Sequence, residues 1–315
     1  MPITSRSTSS SARSWQSWES GCDGPGSVRH RRPQAAGVAK QMEKLEAALA
    51  KAREMRRAAL GAPEVVREKV TPAGAPSIDA WTSLPEVTLT PGKALRHRIT
   101  ALAGNKDATP YDMLRSRTIR LMKEKGWTRL AITSPGAACG KTTVALNLAL
   151  SLSRQKDLKV MLIDLDLRRP SLHRAFGHLP GRSMHEVLDG SAAFEDVAVR
   201  MGDNLVLAMN STAASHPAEL LQSVGTREVL DVIERRWQPD IMLFDMSPML
   251  ATDDNVGFLA NVDCALLIAA AESTTLSNID LCEKELAQLT NVLGVVLNKC
   301  RYPDDSVGYS YGGYT

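Results

Sequence analysis

The sequence predicts an α/β fold in which a mostly parallel sheet is covered by helices on both faces. Three observations lead to this prediction. Short apolar runs that suit buried strands alternate with segments of helical periodicity beyond residue 109. A loop of small residues joins the first of these runs to a helix start. Aromatic residues make up only 4% of the 315 residues, so the core is expected to consist of aliphatic side chains packed between strands and helices.

The expected elements follow in order along the chain. The strands are predicted at residues 130–133, 158–164, 204–208, 240–245, 264–270 and 292–298. Helical patterns are predicted from Thr109-Pro110 to Gly126, over 144–152, and at roughly 217–236 and 276–290. Because ligands bind at the carboxyl ends of parallel strands, the chemically useful residues are expected to lie at that edge of the sheet.

The N-terminal third differs in composition. Residues 1–41 are rich in Ser, Arg and Gly and are expected to be disordered; if Met42 is the natural start, they are not native. Residues 42–60 fit an amphipathic helix, and residues 61–108 fit a proline-rich linker with one short extended piece at 86–90. The domain that carries the chemistry is expected at 109–301, followed by a flexible tail at 302–315.

Charge and cysteine usage exclude some classes of protein. Residues 1–75 hold 13 Lys and Arg against 7 Asp and Glu, although the formal charge of the whole chain is only +3. This excess suits an acidic partner or an anionic membrane surface, with a solvated arm as the alternative. The five cysteines are widely spaced, which indicates neither a disulfide framework nor a zinc site and favours a reducing compartment. The sequence contains no apolar run near the roughly 18 residues of a membrane span.

The stretch 134–143, Ser-Pro-Gly-Ala-Ala-Cys-Gly-Lys-Thr-Thr, suits a phosphate-binding loop. Backbone N–H groups at a helix start can surround a phosphate, Lys141 is expected to reach the β- and γ-phosphates, and the Thr142 hydroxyl is expected to ligate Mg²⁺. The usual motif has glycine where this chain has Pro135, with Gly136 one place later; a glycine-rich turn without function is the alternative. The expected nucleotide contacts are Gly136, Ala137, Ala138, Cys139, Gly140, Lys141, Thr142 and Thr143.

Acidic residues close two of the predicted strands. Asp164 and Asp166 end the second strand, and Asp245 ends the fourth. An apolar strand that ends in a buried carboxylate is costly unless the group has a partner or a function. Asp245 is therefore expected to hold Mg²⁺. Of the pair at 164 and 166, one is expected to face the metal, to which we assign Asp164, while its partner accepts a proton or holds Arg168. Capping of the following turns is the alternative.

Three motifs together resemble the bacterial tyrosine kinases of capsule and exopolysaccharide production, which are P-loop NTPases related to the partition and Min-type ATPases. The motifs are the Gly-Lys-Thr-Thr loop, Val-Met-Leu-Ile-Asp-Leu-Asp-Leu-Arg-Arg-Pro at 160–170 and Ile-Met-Leu-Phe-Asp-Met-Ser-Pro at 241–248. The resemblance implies a protein-tyrosine kinase that uses ATP and Mg²⁺, with Lys141, Asp164, Asp166 and Arg168 in catalysis. It also implies that Asn298 lies against the adenine; a strand-end cap or a turn residue are the alternatives for Asn298.

The end of the chain offers acceptors for such a kinase. Four of the five tyrosines lie in the last fourteen residues, and glycines between them make the segment too flexible to pack. The resemblance implies that one molecule phosphorylates the tail of its neighbour in a homo-oligomer and so regulates polysaccharide polymerisation and export. An adhesive or low-complexity tail is the alternative. The expected phosphoacceptors are Tyr302, Tyr309, Tyr311 and Tyr314.

The resemblance further implies a cytoplasmic kinase that a membrane-embedded polysaccharide co-polymerase activates and recruits to the inner face of the plasma membrane, with no nucleic acid partner. Two departures from the family pattern matter, and one is that no membrane-spanning portion is predicted, which resembles the arrangement in which a separate membrane protein activates a cytoplasmic kinase. The ring-forming E-x-x-R-x-x-R motif is degenerate, with Thr109, Asp112 and Arg115 at its three positions. The chief rival is a partition-type ATPase that uses ATP as a dimerisation switch, but Gly136 stands where that class has a signature lysine. A nucleotide-binding regulator without kinase turnover is the third alternative.

Overall fold

The computed structural model describes residues 78–103 and 106–300. The expectations for residues 1–77 and for the tyrosine tail lie outside the described residues. A seven-stranded sheet forms the centre, with the strand order β3-β4-β2-β5-β1-β6-β7. β3 runs antiparallel to β4 and the other neighbouring strands are parallel, which confirms the predicted fold class. The strands are β1 Arg129–Thr133, β2 Val160–Leu165, β3 Ala198–Met201, β4 Leu205–Ala208, β5 Ile241–Met246, β6 Cys264–Ala270 and β7 Asn291–Asn298.

Ten α-helices occur in the described residues. None of them is long and apolar enough to cross a membrane. The pattern predicted as one helix at 217–236 forms two, because Ser223 adopts an extended conformation and its hydroxyl accepts a hydrogen bond from the Thr226 N–H, capping the second. The helices are α1 Ile78–Thr82, α2 Pro91–Arg96, α3 Thr109–Lys125, α4 Lys141–Ser153, α5 Leu172–Phe176, α6 Met184–Leu188, α7 Pro217–Gln222, α8 Val224–Trp237, α9 Asp254–Phe258 and α10 Leu276–Leu289.

The sheet separates two hydrophobic cores. One core contains side chains of α3, α4 and α5, and the other contains side chains of α6, α8 and α10. Strand residues alternate between them: in β2, Met161 and Ile163 face the α8 side, while Val160 and Leu162 face the α4 side. The same alternation places Asp164 on the face that α4 covers.

Residues 78–103 differ from the proline-rich linker that composition indicated. They pack against the domain: Trp81 is only 2% exposed, and its indole N–H donates to the Trp237 carbonyl oxygen at 2.9 Å. The Val87 N–H donates to the Arg200 carbonyl oxygen, and the Arg200 N–H donates to the Pro85 carbonyl oxygen, both at 2.8 Å. These bonds pair the segment with β3. The prolines interrupt regular structure, but the apolar anchors between them bury enough surface to hold the segment in place.

Candidate nucleotide site

The phosphate loop, residues 134–140, joins β1 to α4, as the sequence predicted. Gly140 has φ of +92°, a conformation that favours glycine. A Cβ at this position would lie 2.3 Å from Asn298 Nδ2. Asn298 ends β7, and its Nδ2 donates to the Cys139 carbonyl oxygen at 2.9 Å. The structure therefore places Asn298 directly against the second half of the loop.

The first half of the loop is fastened to the segment after β5. The Met249 N–H donates to the Ser134 carbonyl oxygen at 2.8 Å, and the Leu250 N–H donates to that of Pro135 at 3.1 Å. The Ser134 hydroxyl donates to the Gly136 carbonyl oxygen at 2.8 Å. Position 135 thus uses only its carbonyl group in these contacts, so proline is compatible there despite its missing N–H.

Lys141, the first residue of α4, is surrounded by acids. Its Nζ donates to Asp166 Oδ2 at 2.7 Å and lies 3.5 Å from Asp245 Oδ1. Burial disfavours its charge, but the attraction of Asp245 and Asp166 outweighs burial and raises the pKa of Lys141. The ammonium therefore remains charged, with Asp166 as its closest partner.

Asp164 and Asp245 are register partners on β2 and β5, and both are fully buried. Asp164 accepts hydrogen bonds from the N–H groups of Asp166 at 3.2 Å and Leu172 at 3.3 Å. Burial and the charge of Asp245 raise the pKa of Asp164 well above its ordinary value. Burial also raises the pKa of Asp245, with Lys141 opposing the shift. Two adjacent buried carboxylates are thus held next to one lysine.

The donor set fits Mg²⁺. Both carboxylate oxygens of Asp245 are buried, and within the described part of the chain neither accepts a hydrogen bond of ordinary geometry. The nearby Lys141 ammonium and Thr142 hydroxyl only oppose the rise that burial causes in the pKa of Asp245. A buried carboxylate beside a threonine hydroxyl offers the oxygen ligands that Mg²⁺ prefers. Among residues 78–103 and 106–300, no group of three or more His, Cys, Asp or Glu could hold a metal alone. Mg²⁺ would therefore need substrate phosphate and water oxygens besides Asp245 and Thr142, which is its usual mode of binding.

Arg168 makes a different contact from the one the sequence allowed. Its guanidinium binds the carboxylate of Asp254, with N···O distances of 2.9, 3.0 and 3.1 Å, and lies 3.5 Å from Asp253. Asp166 instead holds Lys141 and accepts from the Arg169 N–H at 3.1 Å. The option that Asp166 holds Arg168 is therefore wrong for this state of the chain.

Two side chains at the site had no assigned role in the sequence analysis. Asp254 is completely buried and opens α9, nine residues beyond Asp245. Asn210 donates from its Nδ2 to the Asp164 carbonyl oxygen at 2.7 Å and so supports the end of β2. The spacing of nine residues after Asp245 is the local signal that indicates Asp254, although it does not indicate its partner. No local pattern indicates Asn210, because its partner lies 46 residues away in the sequence.

Comparison with solved structures places this architecture among bacterial tyrosine kinase domains. The kinase domain of the Escherichia coli tyrosine kinase ETK is 28% identical, with a TM-score of 0.60 over 69% of this chain and 85% of that chain. The VpsO kinase domain is 27% identical, with a TM-score of 0.56 over 67% of this chain and 98% of that one. The resemblance that the motifs indicated is confirmed.

Sequence relatives agree with the structural ones. Tyrosine-protein kinase etk of Escherichia coli K12 is 30% identical over 184 residues, which is 58% of this chain and 25% of that protein. Tyrosine-protein kinase YwqD of Bacillus subtilis is 27% identical over 212 residues, which is 66% of this chain and 88% of that protein. EpsB of Ralstonia solanacearum aligns over 26% of its length. The chain thus spans about a quarter of the length of several relatives.

Residues 130–308 match the family model described as the CobQ/CobB/MinD/ParA nucleotide binding domain. The matched range begins in β1 and includes the phosphate loop, both acidic strand ends and β7. The chain belongs to the CobQ/CobB/MinD/ParA nucleotide-binding domain family.

Proposed function

We propose that this protein is an ATP-dependent protein-tyrosine kinase that phosphorylates its own C-terminal tyrosines. The observation that carries the proposal is the position of Lys141, which lies between Asp166 and Asp245 at the mouth of the phosphate loop. A cation with buried acids beside a phosphate loop suits transfer of a γ-phosphoryl group. Similarity to the ETK kinase domain supports tyrosine as the acceptor class.

The roles of the loop residues follow from their positions. The N–H groups of residues 136–140, together with Thr142 and Thr143 at the start of α4, bind the ATP phosphates, and Lys141 exchanges Asp166 for phosphate oxygens. Thr142 and Asp245 would hold Mg²⁺, with Asp164 facing the metal from the neighbouring strand. When bound, Mg²⁺ neutralises charge on the β- and γ-phosphates. Asn298, which contacts Cys139, closes the loop on the side of the adenine.

Asp166 is the better proton acceptor of the two acids in its motif. Asp164 is fully buried and accepts two backbone hydrogen bonds, whereas Asp166 is 6% exposed and bonds to the lysine that phosphate would attract away. The tyrosine oxygen forms a bond to the γ-phosphorus as the bond to the β–γ bridging oxygen breaks. The phenol proton passes to Asp166, and ADP leaves. Arg168 keeps the loop that carries Asp166 in position through Asp254.

The acceptors are the tail tyrosines of a neighbouring molecule. Each phosphate adds close to two negative charges, which provides a way to separate neighbours after transfer. By similarity to capsule and exopolysaccharide kinases, the cycle regulates polysaccharide polymerisation and export. A membrane-embedded co-polymerase recruits the kinase to the inner face of the membrane in this proposal. The acceptors are Tyr302, Tyr309, Tyr311 and Tyr314.

The test is phosphotyrosine formation by the full chain with ATP and Mg²⁺, read by mass spectrometry. A variant in which all four tail tyrosines are Phe is expected to lose the signal. The matched control is Tyr111→Phe, which changes the fifth tyrosine; Tyr111 lies partly buried in α3 and should not be an acceptor. Lys141→Met is expected to abolish transfer.

The same experiment separates the kinase from the partition-type ATPase. The rival predicts ATP hydrolysis, and dimerisation with ATP, without phosphate on any tyrosine. Gly136 occupies the position of the signature lysine of that class, and a Cβ there would meet no atom within 4 Å. Hydrolysis without phosphotyrosine, in the presence of a co-polymerase fragment, would contradict the kinase proposal.

A further inference from the structure

The segment before α3 presents cations and leucines on its outer surface. We call residues 91–103 the basic strap. The basic strap holds three Lys and Arg and no Asp or Glu, and one of the three, Lys93, donates to the Phe176 carbonyl oxygen. Leu95 is 83% exposed and Leu102 is 45% exposed, and Arg96 and Arg98 are exposed beside them. A leucine that is almost completely exposed on an ordered segment is unfavourable unless another surface covers it.

The basic strap is held in one conformation by α4. Asn147 Oδ1 accepts hydrogen bonds from the N–H groups of Thr100 at 2.8 Å and Ala101 at 3.0 Å, and its Nδ2 donates to the Arg98 carbonyl oxygen at 3.1 Å. Ile99 and Ala101 are buried in the core beneath. Because these inner contacts fix the backbone, binding through the outer side chains carries no further cost of backbone ordering.

Acids in the described part of the chain leave the arginines of this surface without an ionic partner. Within the described residues, Arg96, Arg98 and Lys106 take part in no ion pair. The nearby acids are Asp107, which follows Lys106, and Asp112 of α3. Asp112 is already paired with Arg115 at 2.9 Å and with Arg154 at 2.7 Å. The outer face of the basic strap therefore keeps a positive potential.

We propose that the basic strap binds the surface of an anionic lipid bilayer directly. Arginines flanking an exposed leucine match the interfacial pattern, in which the leucine enters the acyl boundary while the guanidinium groups stay at the phosphate level. A nucleic acid would use the arginines and leave Leu95 in water. This inference is independent of the kinase proposal, because it needs neither ATP nor a tyrosine.

The test is co-sedimentation of the full chain with vesicles, without nucleotide. Binding is expected to phosphatidylglycerol-containing vesicles, to weaken as salt rises, and to be much weaker on phosphatidylcholine. Arg96→Gln with Arg98→Gln should weaken binding about 25-fold, from roughly fivefold per arginine. Leu95→Ser should weaken it roughly tenfold. Both variants change exposed side chains, so thermal unfolding should match the unsubstituted chain.

The matched control is Val224→Ser with Arg227→Gln, which changes an exposed apolar residue and a nearby exposed cation on α8. This variant should bind like the unsubstituted chain. The control removes one cation and the arginine variant removes two, so an equal loss of binding per cation removed would overturn the proposal, because binding would then depend on total charge. Unchanged vesicle binding in the strap variants would overturn it, as would strap-dependent binding to duplex DNA alone.

Discussion

The guanidinium of Arg168 binds the buried carboxylate of Asp254 through two nitrogens, with N···O distances of 2.9–3.1 Å, across 86 residues of sequence. Arg168 follows β2 and Asp254 opens α9, so the pair connects the loop that carries Asp166 to the segment after β5. That segment also supports the phosphate loop through Met249 and Leu250. The contact joins the second motif to the segment that follows the third.

Replacement of Arg168 with Ala should weaken both stability and transfer. The substitution leaves Asp254 buried without its cation, and removal of one partner of a fully buried ion pair lowers the free energy of unfolding by about 3–5 kcal/mol. Because the Arg168 side chain is 40% exposed, we expect a smaller loss of about 1–2 kcal/mol. Turnover should fall about 10–100-fold with ATP affinity nearly unchanged, because a small displacement of the loop that carries Asp166 misplaces the proton acceptor. Arg168→Lys should restore only part of the lost stability and turnover, because an ammonium cannot bind both oxygens of the Asp254 carboxylate with two parallel N–H groups as a guanidinium does. Urea unfolding and initial rates measure the two effects.

A double-mutant cycle with Asp254→Ala tests whether the two residues act together. The effects should be strongly non-additive, with a coupling energy of about 1–2 kcal/mol. The matched control is the exposed pair Lys284–Asp280 on α10, whose coupling should be much smaller. Additive effects at Arg168 and Asp254 would show that the contact does not position the loop.

Gly140 provides a second prediction. Gly140→Ala should reduce nucleotide affinity at least about tenfold, because the new Cβ meets Asn298 Nδ2 at 2.3 Å and the residue must keep φ of +92°. Fluorescent nucleotide titration measures the affinity. Gly136→Ala is the matched control, since a Cβ there meets no atom within 4 Å, and it should change affinity much less. Adding Asn298→Ala to Gly140→Ala removes the clash but not the strain, so recovery should be partial.

Local sequence patterns predicted much of the site. The phosphate loop, Asp164, Asp166 and Asp245 were found because each is a short motif at the end of an apolar run. A parallel sheet brings the ends of such runs to one edge, so their proximity follows from the fold class. Helix α3 was predicted with its ends because Thr109-Pro110 and Gly126 are local signals.

The parts that were missed depend on distant contacts. The Arg168–Asp254 pair joins two segments 86 residues apart, and neither residue has a local pattern that names the other. β3 has four residues and gains its structure by pairing with β4. The N-terminal segment has the composition of a linker, and only the surface of α8 makes Trp81 an anchor. The composition of residues 78–103 contains no information about the α8 surface, and contacts with that surface are what order the segment.

The buried acids predict a pH dependence. Burial raises the pKa of Asp245, so the folded chain binds this proton more tightly than the unfolded chain. The stability that this group contributes is present below the ordinary Asp pKa of 3.8 and is lost as pH rises through the raised pKa. Asp245→Asn removes this titration. It should make the nucleotide-free chain more stable at neutral pH and flatten the loss of stability with rising pH.

The same substitution should lower Mg²⁺-dependent transfer by at least about 100-fold, because even outer partners of a metal site cost 10–100-fold. Urea unfolding between pH 5 and 8 and phosphotyrosine rates measure the two effects. Asp253→Asn is the control, because the Asp253 side chain is 69% exposed and has no place in the proposed metal site. A loss of stability in Asp245→Asn at neutral pH would show that burial of the charged Asp245 carboxylate does not destabilise the nucleotide-free chain.

Trp81 tests whether residues 78–103 belong to the folded domain. Its ring is 2% exposed, lies edge-on to Trp237 at a centroid distance of 6.1 Å, and donates its N–H to the Trp237 carbonyl oxygen. Trp81→Ala should lower the free energy of unfolding by about 3–5 kcal/mol, as for other large-to-small changes in a core. Trp81→Phe should cost less, chiefly the lost hydrogen bond at about 1 kcal/mol and some packing.

Leu95→Ala is the matched control for this prediction, because Leu95 lies in the same segment but is 83% exposed. It should change the free energy of unfolding by less than about 0.5 kcal/mol. Urea unfolding of the full chain gives both values. The transition is monitored by far-UV circular dichroism, because tryptophan fluorescence would itself change when Trp81 is replaced. If Trp81→Ala were as harmless as Leu95→Ala, the segment would be a tether whose contacts add nothing to the domain. The expected difference requires that folding of the nucleotide-binding domain include residues well before α3.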